Sequence, residues 1–132
     1  MNNNITRSLL AGAGNDDVRG GFNPGTTTAY LGDGNDEIFA SGVVTVVAFG
    51  QGGNDTLIGS SQDDYLYGGA GNDYLEGRSG TDWMVGEGAN DTFSARSGSV
   101  PELDRVSGGA GSDKATVDNL DLVWEVEQIT VL

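Results

Sequence analysis

A nine-residue period runs through the middle of this chain and restricts the folds that it can adopt. Large apolar residues recur at intervals of nine, at Leu57, Leu66, Leu75, Met84 and Phe93. The segment 68–76 reads G-G-A-G-N-D-Y-L-E, a full match to the pattern G-G-x-G-x-D-x-U-x, in which U is a large apolar residue. Because the spacing is kept without a slip, the pattern predicts a solenoid of stacked short units.

Each unit combines a tight turn with a very short strand. Glycine tolerates positive φ and lets two backbones approach closely, so the glycines of 68–71 favour a turn of about the size of a cation. Asp73 adds a hard oxygen ligand to that turn. Leu75 then lies in a three-residue strand, in which Tyr74 and Glu76 point to the opposite side.

The neighbouring segments 59–67, 77–85 and 86–94 carry the same pattern. With these repeats the chain resembles the hemolysin-type calcium-binding (RTX) nonapeptide-repeat family. The resemblance covers roughly residues 9–116. It implies an all-β, right-handed parallel β-roll (a β-solenoid) with two nonapeptides per coil. We therefore expect a single domain over residues 1–132, with a C-terminal capping strand within 117–132.

The pattern is strong in every second repeat. The strong repeats place an aspartate at the sixth position, at Asp16, Asp36, Asp55, Asp73, Asp91 and Asp113. The intervening repeats are poor in glycine and place Thr27, Thr45, Asp64, Asp82 and Asp104 there. Since two nonapeptides make one coil in this family, the strong repeats are expected to stack on one edge and the weak repeats on the other.

The resemblance implies calcium ions between stacked turns, each held by carbonyl oxygens and one aspartate from each turn. Six strong turns leave five gaps, so about five calcium sites are expected on the strong edge, and at most one more on the other, between Asp64 and Asp82. The absence of cysteine and histidine disfavours zinc and copper. Carbonyl-rich turns suit calcium better than magnesium. The expected carbonyl ligands are Ala13, Gly14, Asp33, Gly34, Gly52, Gly53, Ala70, Gly71, Gly88, Ala89, Ala110 and Gly111.

Some strong repeats depart from the pattern. Ala11 and Leu31 replace the first glycine, and Gln51 and Glu87 replace the second. These replacements are tolerable where only a carbonyl oxygen is needed. Ala89 replaces the fourth glycine, where a positive φ is expected, and is the least compatible of them.

The predicted core is thin, with about one inward apolar side chain per nonapeptide. Ordering so many glycines costs much backbone entropy, so bound cations are expected to supply part of the stability. The chain would then fold on meeting extracellular calcium. One sheet is predicted to contribute Val18, Ile38, Leu57, Leu75, Phe93 and Ala115, and the other Ala29, Val47, Leu66, Met84 and Val106.

Charge and composition exclude several functions. The net charge is −14, from 20 acidic and 6 basic residues, which disfavours nucleic acids and anionic membranes as partners and favours cations. No stretch of 18 apolar residues is present, so no membrane span is predicted. Without histidine, neither a zinc-protease motif nor a Ser-His-Asp triad can form, and we predict that the chain is not an enzyme.

The two termini bear on localisation. The first ten residues lack the apolar core of a secretory signal peptide. The alternating apolar residues of 120–131 favour strands that cap the solenoid. The resemblance to RTX proteins implies export through a type I channel by an uncleaved C-terminal signal, and the final I-T-V-L is similar to such signals. Both interpretations can hold together, and we expect a secreted, extracellular protein.

The two outer faces are predicted to differ. Outward positions on the Leu75 sheet are mixed and mostly polar. Those on the other sheet are predicted to form an apolar face of Tyr30, Val46, Ala48, Tyr65, Tyr67, Trp83 and Val85. A bare face of this kind is unusual in a monomer, so we expect a cover. The segment around Trp124 or the insertion 95–103 is favoured, and self-association through Tyr65, Tyr67 and Trp83 is the alternative.

Two other functions remain open. The chain can be an adhesion or ligand-binding scaffold, or the repeat part of a larger secreted toxin or hydrolase. An ice-binding variant of the scaffold would use the asparagines that precede the aspartates, at Asn15, Asn35, Asn54, Asn72 and Asn90. The threonine rank that such surfaces carry is missing, and a simple turn preference of asparagine explains the column better.

Overall fold

Short parallel strands form the whole described fold. A computed structural model describes residues 5–21, 25–97, 100 and 102–132, and no helix forms in these residues. The strands are β1 (Ile5–Ala13), β2 (Asp17–Gly21), β3 (Gly25–Asp33), β4 (Glu37–Ser41), β5 (Thr45–Gly52), β6 (Thr56–Ile58), β7 (Tyr65–Ala70), β8 (Tyr74–Glu76), β9 (Trp83–Gly88), β10 (Thr92–Ala95), β11 (Arg105–Ala110), β12 (Lys114–Val117), β13 (Leu122–Trp124) and β14 (Gln128–Val131).

These strands alternate between two parallel sheets. Sheet A runs β1-β3-β5-β7-β9-β11-β13, and sheet B runs β14-β12-β10-β8-β6-β4-β2. One odd strand and the even strand that follows it make one coil, and each coil pairs with the next in both sheets. The predicted all-β parallel solenoid with two nonapeptides per coil is therefore confirmed.

The inward row of sheet B is the predicted one. Val18, Ile38, Leu57, Leu75, Phe93 and Ala115 pair in register along β2, β4, β6, β8, β10 and β12. Ile38, Leu57 and Leu75 are fully buried. A nine-residue period thus becomes a column of side chains because two such periods return the chain to the same sheet, one strand further along.

On sheet A the prediction is wrong at one position. Ala48, not Val47, pairs with Ala29 and Leu66 in the inward row, and Val47 is half-buried on the outer side. The strong aspartates Asp36 and Asp55 are 19 residues apart, one more than the next pair. A strict count of 18 residues from Thr27 leads to Thr45 and so places the extra residue after it. In the structure Thr27 pairs with Val46, so the extra residue lies in the loop before β5.

The outer face of sheet A is apolar, as predicted, but its membership differs. Val46 and Ala48 point inward and are fully buried, and Val47 and Phe49 take their places outside. The rings of Tyr30, Phe49 and Tyr67 stack, with centroids 5.0 and 4.9 Å apart. The two central outward rows are Leu10, Tyr30, Phe49, Tyr67, Val85, Ser107, Trp124, and Ser8, Thr28, Val47, Tyr65, Trp83, Arg105, Leu122.

The C-terminal segment adds to both sheets. The predicted capping region supplies two strands, since β13 pairs with β11 and β14 pairs with β12. Trp124 pairs with Ser107 and so extends the outer face of sheet A. The expectation that the segment around Trp124 covers this face is therefore wrong. Part of the other expected cover, residues 98, 99 and 101 of the insertion, lies outside the described residues.

A membrane-spanning helix of sufficient length and hydropathy is not found anywhere in the described part of the chain.

Candidate metal centre

The strands leave two rows of turns, one along each edge of the solenoid. Edge I contains the turns from sheet A to sheet B, such as residues 71–73 between β7 and β8. Edge II contains the turns from sheet B back to sheet A, such as residues 77–82 between β8 and β9. The strong repeats fall on edge I and the weak repeats on edge II, because alternate nonapeptides occupy the same place in successive coils.

On edge I the six predicted aspartates form one continuous column. From Asp36 onward, the carboxylate Oδ1 of each accepts the backbone N–H of the aspartate one coil earlier, with N···O distances of 2.7–2.9 Å. Glu127 continues the column in the last coil, because its Oε2 accepts the N–H of Asp113 at 2.7 Å. The members in order are Asp16, Asp36, Asp55, Asp73, Asp91, Asp113 and Glu127.

The second oxygen of each edge I aspartate is buried without a hydrogen-bond partner. This holds for Oδ2 of Asp16, Asp36, Asp55, Asp73, Asp91 and Asp113. In four coils this oxygen lies against the first glycine of the repeat, where a Cβ would collide with it. The pairs are Gly50 with Asp55, Gly68 with Asp73, Gly86 with Asp91 and Gly108 with Asp113. The first glycine of the motif thus makes room for the carboxylate.

Burial makes these carboxylates costly to ionise. Removal of the carboxyl from water is the largest cause that raises the pKa of Asp55, Asp73 and Asp91 from 3.8 to about 6. Neighbouring carboxylates of the column raise it further, and the hydrogen bond from the backbone amide opposes both effects. A cation beside the column would relieve both causes at once.

The carbonyl groups predicted as ligands lie along the same edge. The third-position carbonyl oxygen accepts the fourth-position N–H of the coil before it, as in Gly53 N–H to Ala70 at 2.8 Å. The same bond joins Gly14 to Asp33, Gly34 to Gly52, Gly71 to Gly88 and Ala89 to Ala110. The fourth-position carbonyls of Gly14, Gly34, Gly53 and Ala89 lie where a Cβ on the matching glycine one coil later would collide with them. The turns therefore stack carbonyls as well as carboxylates.

Three non-glycine residues adopt the backbone conformation of the glycines they replace. Gln51 and Glu87, at the second position, have φ of 81° and 79°, beside 109° for the equivalent Gly69. Ala89, at the fourth position, has φ of 79°, as the sequence predicted. A side chain is disfavoured in this region, so these turns carry strain that glycine would avoid.

Edge II has a column of its own, although its repeats lack most glycines. Backbone N–H groups of Val46, Asp64, Asp82 and Asp104 donate to Oδ1 of Asp64, Asp82, Asp104 and Asp121, at 2.6, 2.8, 2.8 and 3.0 Å. Val46, not Thr45, occupies the aspartate position of the third coil, by the same shift of one residue that moves Val47 outward. The register of the coils, not the glycine pattern, is what places these carboxylates.

The carboxylates of edge II are even more strongly perturbed. Burial is the main cause that raises the pKa of Asp82 to about 8 and that of Asp104 to about 7, and their neighbouring carboxylates add to it. Oδ2 of both residues is buried without a partner. Asp64 differs because Ser60 donates its N–H to the second oxygen, and its pKa is raised only to about 6.

Comparison with known sequence families shows the family of this chain. The sequence profile of the RTX calcium-binding nonapeptide repeat, in four copies, matches residues 8–26, 49–84 and 72–99, which together exceed half of the chain. The chain belongs to the RTX calcium-binding repeat family. Searches of curated proteins and of solved structures found no match. This protein therefore contains a calcium-binding repeat module, and in this family such a β-roll is a structural element.

The donor atoms fit the cation that the RTX family binds. All of them are carboxylate or carbonyl oxygens, the hard ligands that calcium prefers. Three acidic side chains do not meet at one point in the described residues, so each site would combine aspartates of neighbouring coils with carbonyl groups. In that part of the chain the ion pairs join Arg19 to Asp17 and Glu37, and Arg78 to Glu76. No basic side chain there neutralises a column aspartate.

A ladder of asparagines runs beside the edge I column. The side-chain Oδ1 of Asn15, Asn35, Asn54 and Asn72 accepts the backbone N–H of the next asparagine, and that of Asn90 accepts the N–H of Ser112, at 2.8–2.9 Å. The asparagine bonds run from one coil to the next in the opposite sense to the aspartate bonds. Each pair of RTX turns is thus joined reciprocally, which gives these exposed asparagines a structural role.

Asp121 and Glu127 are the column members that the sequence did not predict. Both lie in the last coil, where the glycine pattern has ended. Asp121 follows Asp104 by 17 residues, close to the usual interval of 18, which is a signal that could have found it. Glu127 follows Asp113 by only 14 residues, and it reaches the column with a longer side chain.

Proposed function

We propose that this RTX module folds when it meets calcium outside the cell, and that its role is non-catalytic. One observation carries this proposal: eight aspartate oxygens in the two columns are buried without a hydrogen-bond partner. Uncompensated charge in such positions is unfavourable, and the raised pKa values show its cost. A divalent cation supplies the missing partner and cancels the repulsion along each column.

The same observation explains why folding would depend on calcium. Without it the stacked carboxylates repel one another in a chain of net charge −14. A ligand at about 100 times its dissociation constant stabilises the folded state by roughly 2.7 kcal/mol per site. Extracellular modules bind calcium with dissociation constants of about 10⁻⁴–10⁻³ M, so the chain would be unfolded in the cytosol and folded outside.

We propose about five calcium sites on edge I, one between each pair of neighbouring strong turns, held by the column aspartates and the third- and fourth-position carbonyls. On edge II we propose one site, between Asp64 and Asp82. Because each calcium ion would be shared by the turns of two neighbouring coils, binding would link consecutive coils. Folding would then be cooperative along the edge.

A calcium titration followed by circular dichroism tests the proposal. We expect a disordered spectrum in chelator, a strand-rich spectrum in millimolar calcium, and little change with the same concentration of magnesium. Asp73→Asn should shift the midpoint to higher calcium. Glu37→Gln, the same loss of charge at an exposed side chain on the outer face of sheet B, should leave it nearly unchanged. A strand-rich spectrum that persists in strong chelator would contradict the proposal.

Calcium-controlled folding would also fit export through a type I channel by an uncleaved C-terminal signal. In the folded chain the final residues form β14 and pair with β12, so a transporter would have to read them before folding. Deleting residues 128–132 should abolish export from a host that carries a type I channel. Export that continues unchanged after the deletion would rule out a signal in β14.

The outer face of sheet A supports a second candidate, an adhesion or ligand-binding scaffold. No acidic residue occupies its two central rows, although the chain has 20 acids. Tyr65 and Trp83 are 41% and 40% exposed there. Self-association through Tyr65, Tyr67 and Trp83 would cover this face. Replacing Tyr67 and Trp83 by Ser should then convert a calcium-loaded dimer into a folded monomer, and Tyr74→Ser on sheet B should not.

A further inference from the structure

Within the described residues, each end of the solenoid presents sheet edges of the kind by which coils pair. β1 and β2 are the first strands of their sheets, and β13 and β14 are the last. Every neighbouring pair in both sheets is parallel. A further coil placed beyond β13 and β14 would therefore point the same way as β1 and β2 do. Only a head-to-tail arrangement of two copies meets this condition, because two like ends would meet with antiparallel strands.

At the C-terminal end the outward backbone groups can be assigned. The N–H groups of Gln128 and Leu132 donate to Asp113 and Val117 of the previous coil. Backbone groups of a strand alternate in direction, so those of Ile129 and Val131 are directed away from β12. Their side chains occupy the inward row beside Ala115 and Val117, yet are 49% and 59% exposed. The last coil thus presents apolar side chains and an open strand edge.

The N-terminal end shows the matching features. Leu9 pairs with Ala29 and Val18 pairs with Ile38 in the two inward rows. Ala29 and Ile38 are fully buried, whereas Leu9 and Val18 are only partly buried, since only the second coil packs against them, on one side. A coil placed before them would complete the apolar rows that Ile129 and Val123 leave open at the other end.

Charges at the two ends are complementary on edge II. Arg7 pairs with Thr27, and this register position continues through Val46 to the column that ends at Asp121. The edge II column therefore begins with an exposed cation and ends with a carboxylate. In a head-to-tail pair, Arg7 of one copy would lie one coil spacing from Asp121 of the other.

On edge I the two ends would rebuild an acidic pair. Each column carboxylate accepts the N–H of the residue one coil earlier, so Asp16 of one copy is placed to accept the N–H of Glu127 of the other. This repeats the contact between Asp113 and Glu127 within one chain. Oδ2 of Asp16 is buried without a partner, like the other aspartates of the column. Calcium would be needed at this junction to offset the repulsion between the two carboxylates.

We propose that calcium-loaded copies of this chain associate head to tail, with β1 and β2 of one copy pairing with β13 and β14 of the next. The association rests on the proposed function in that the coils must be folded by calcium. Such an interface is heterologous and does not close on itself, so assembly would continue beyond the dimer as concentration rises. Unpaired strand edges are known templates for this kind of addition.

Sedimentation velocity over a range of protein concentrations in calcium tests the assembly. We expect a distribution of dimers, trimers and longer species that grows with concentration. Val131→Pro removes an outward N–H and leaves the amides of Gln128 and Leu132 in place, and should weaken association about tenfold or more. Val131→Thr keeps that amide and the side-chain shape and is its matched control. Arg7→Glu should block the opposite end.

Mixing the two blocked variants gives the sharpest result. Arg7→Glu keeps a competent C-terminal end, and Val131→Pro keeps a competent N-terminal end. Each alone should associate about tenfold or more weakly than the parent chain, and the mixture should form mainly a one-to-one dimer at concentrations where each variant alone is monomeric. Circular dichroism of each variant in calcium shows whether it is folded and so separates failed assembly from failed folding.

Three results would overturn the inference. A parent chain that is strand-rich in calcium but monomeric at every concentration would overturn the assembly and leave the proposed function intact. Association that survives both end variants and disappears with Trp83→Ser would assign the interface to the outer face of sheet A. A parent chain that stays disordered in calcium would overturn the proposed function and this assembly together.

Discussion

Edge I and edge II are built from turns of very different sequence, and yet they hold the same column of carboxylates. Edge I has the glycine pattern in every coil from Asp16 to Asp113, and edge II has mostly lost it. In both, one carboxylate oxygen accepts an amide of the previous coil and most second oxygens are left without a partner. The aspartate is therefore placed by the coil register, while the glycines shape the turn backbone around it.

The difference appears in the electrostatics. The pKa of the perturbed edge I aspartates is raised to about 6, whereas that of Asp82 on edge II is raised to about 8. Desolvation is the first cause on both edges. Edge II holds fewer carboxylates than edge I. Its Asp82 and Asp104 are harder to ionise without a cation than Asp55, Asp73 and Asp91 of edge I. Substitutions and changes of pH that act on one edge at a time test this contrast.

The largest effect should come from deleting one carboxylate on each edge. Asp73 lies between Asp55 and Asp91, so Asp73→Ala should weaken two calcium sites and cost roughly 5 kcal/mol of calcium-loaded stability, at about 2.7 kcal/mol per site. Asp82→Ala should remove one site at most and cost about half as much. Calorimetric ion counts and urea unfolding measure both. Equal losses of bound calcium would show that the two edges bind alike.

Without calcium the two edges should respond to different ranges of pH. A carboxyl whose pKa is higher in the folded state stabilises folding when it is protonated, so metal-free stability should be greatest near pH 4 and fall as pH rises. The edge I aspartates Asp55, Asp73 and Asp91 would govern the fall up to about pH 6. On edge II, Asp104 would continue it to about pH 7 and Asp82 to about pH 8.

Two amide variants separate these ranges. Asp82→Asn should abolish the fall between about pH 7 and 8 and leave the part near pH 7 that Asp104 causes, and Asp73→Asn should reduce the fall below about pH 6. Thermal unfolding in chelator, with osmolyte added to populate the fold, follows the effect. Metal-free stability that rises with pH over this interval would contradict the assignment of buried, partnerless carboxylates.

The asparagine ladder should contribute a smaller effect on edge I. Asn72→Ala removes the oxygen that accepts the N–H of Asn90 and should cost about 1 kcal/mol. On edge II, Asp63 accepts the N–H of Thr81 in the same way, so Asp63→Asn keeps the bond and is a fitting control. Chemical unfolding in saturating calcium would detect the difference. An unchanged Asn72→Ala would mean that solvent replaces the ladder at no cost.

The smallest effect should come from relieving strain in one edge I turn. Ala89→Gly should raise the free energy of unfolding by about 0.5–1 kcal/mol, because φ of 79° disfavours a side chain. Ala70→Gly, at a position where no positive φ is found, should lower it by a similar amount through backbone entropy. Opposite signs for the two variants confirm the turn geometry, and equal signs contradict it.

The sequence alone determined the solenoid, the family and most of edge I. Its nine-residue period, doubled, returns a residue to the same sheet one coil later, so Leu57, Leu75 and Phe93 could be stacked without coordinates. The same count separated the strong turns from the weak ones. This count predicts the pairing because the coils have a nearly constant length. Residues about 18 positions apart therefore lie side by side in adjacent coils.

Where that length changes, the sequence leaves more than one register open, and strand pairing in the folded chain selects one. Between Thr27 and Asp64 one extra residue can be placed on either side of β5, and strand pairing puts Val46 in the column and Val47 outside. In the last coil the spacing shortens, and Asp121 and Glu127 join the columns without the motif. An apolar residue can lie on either side of a strand, so the pattern alone does not choose between Val46 and Val47. A carboxylate can reach the column through a shorter loop or a longer side chain. Hydrogen bonding between coils therefore selects the register.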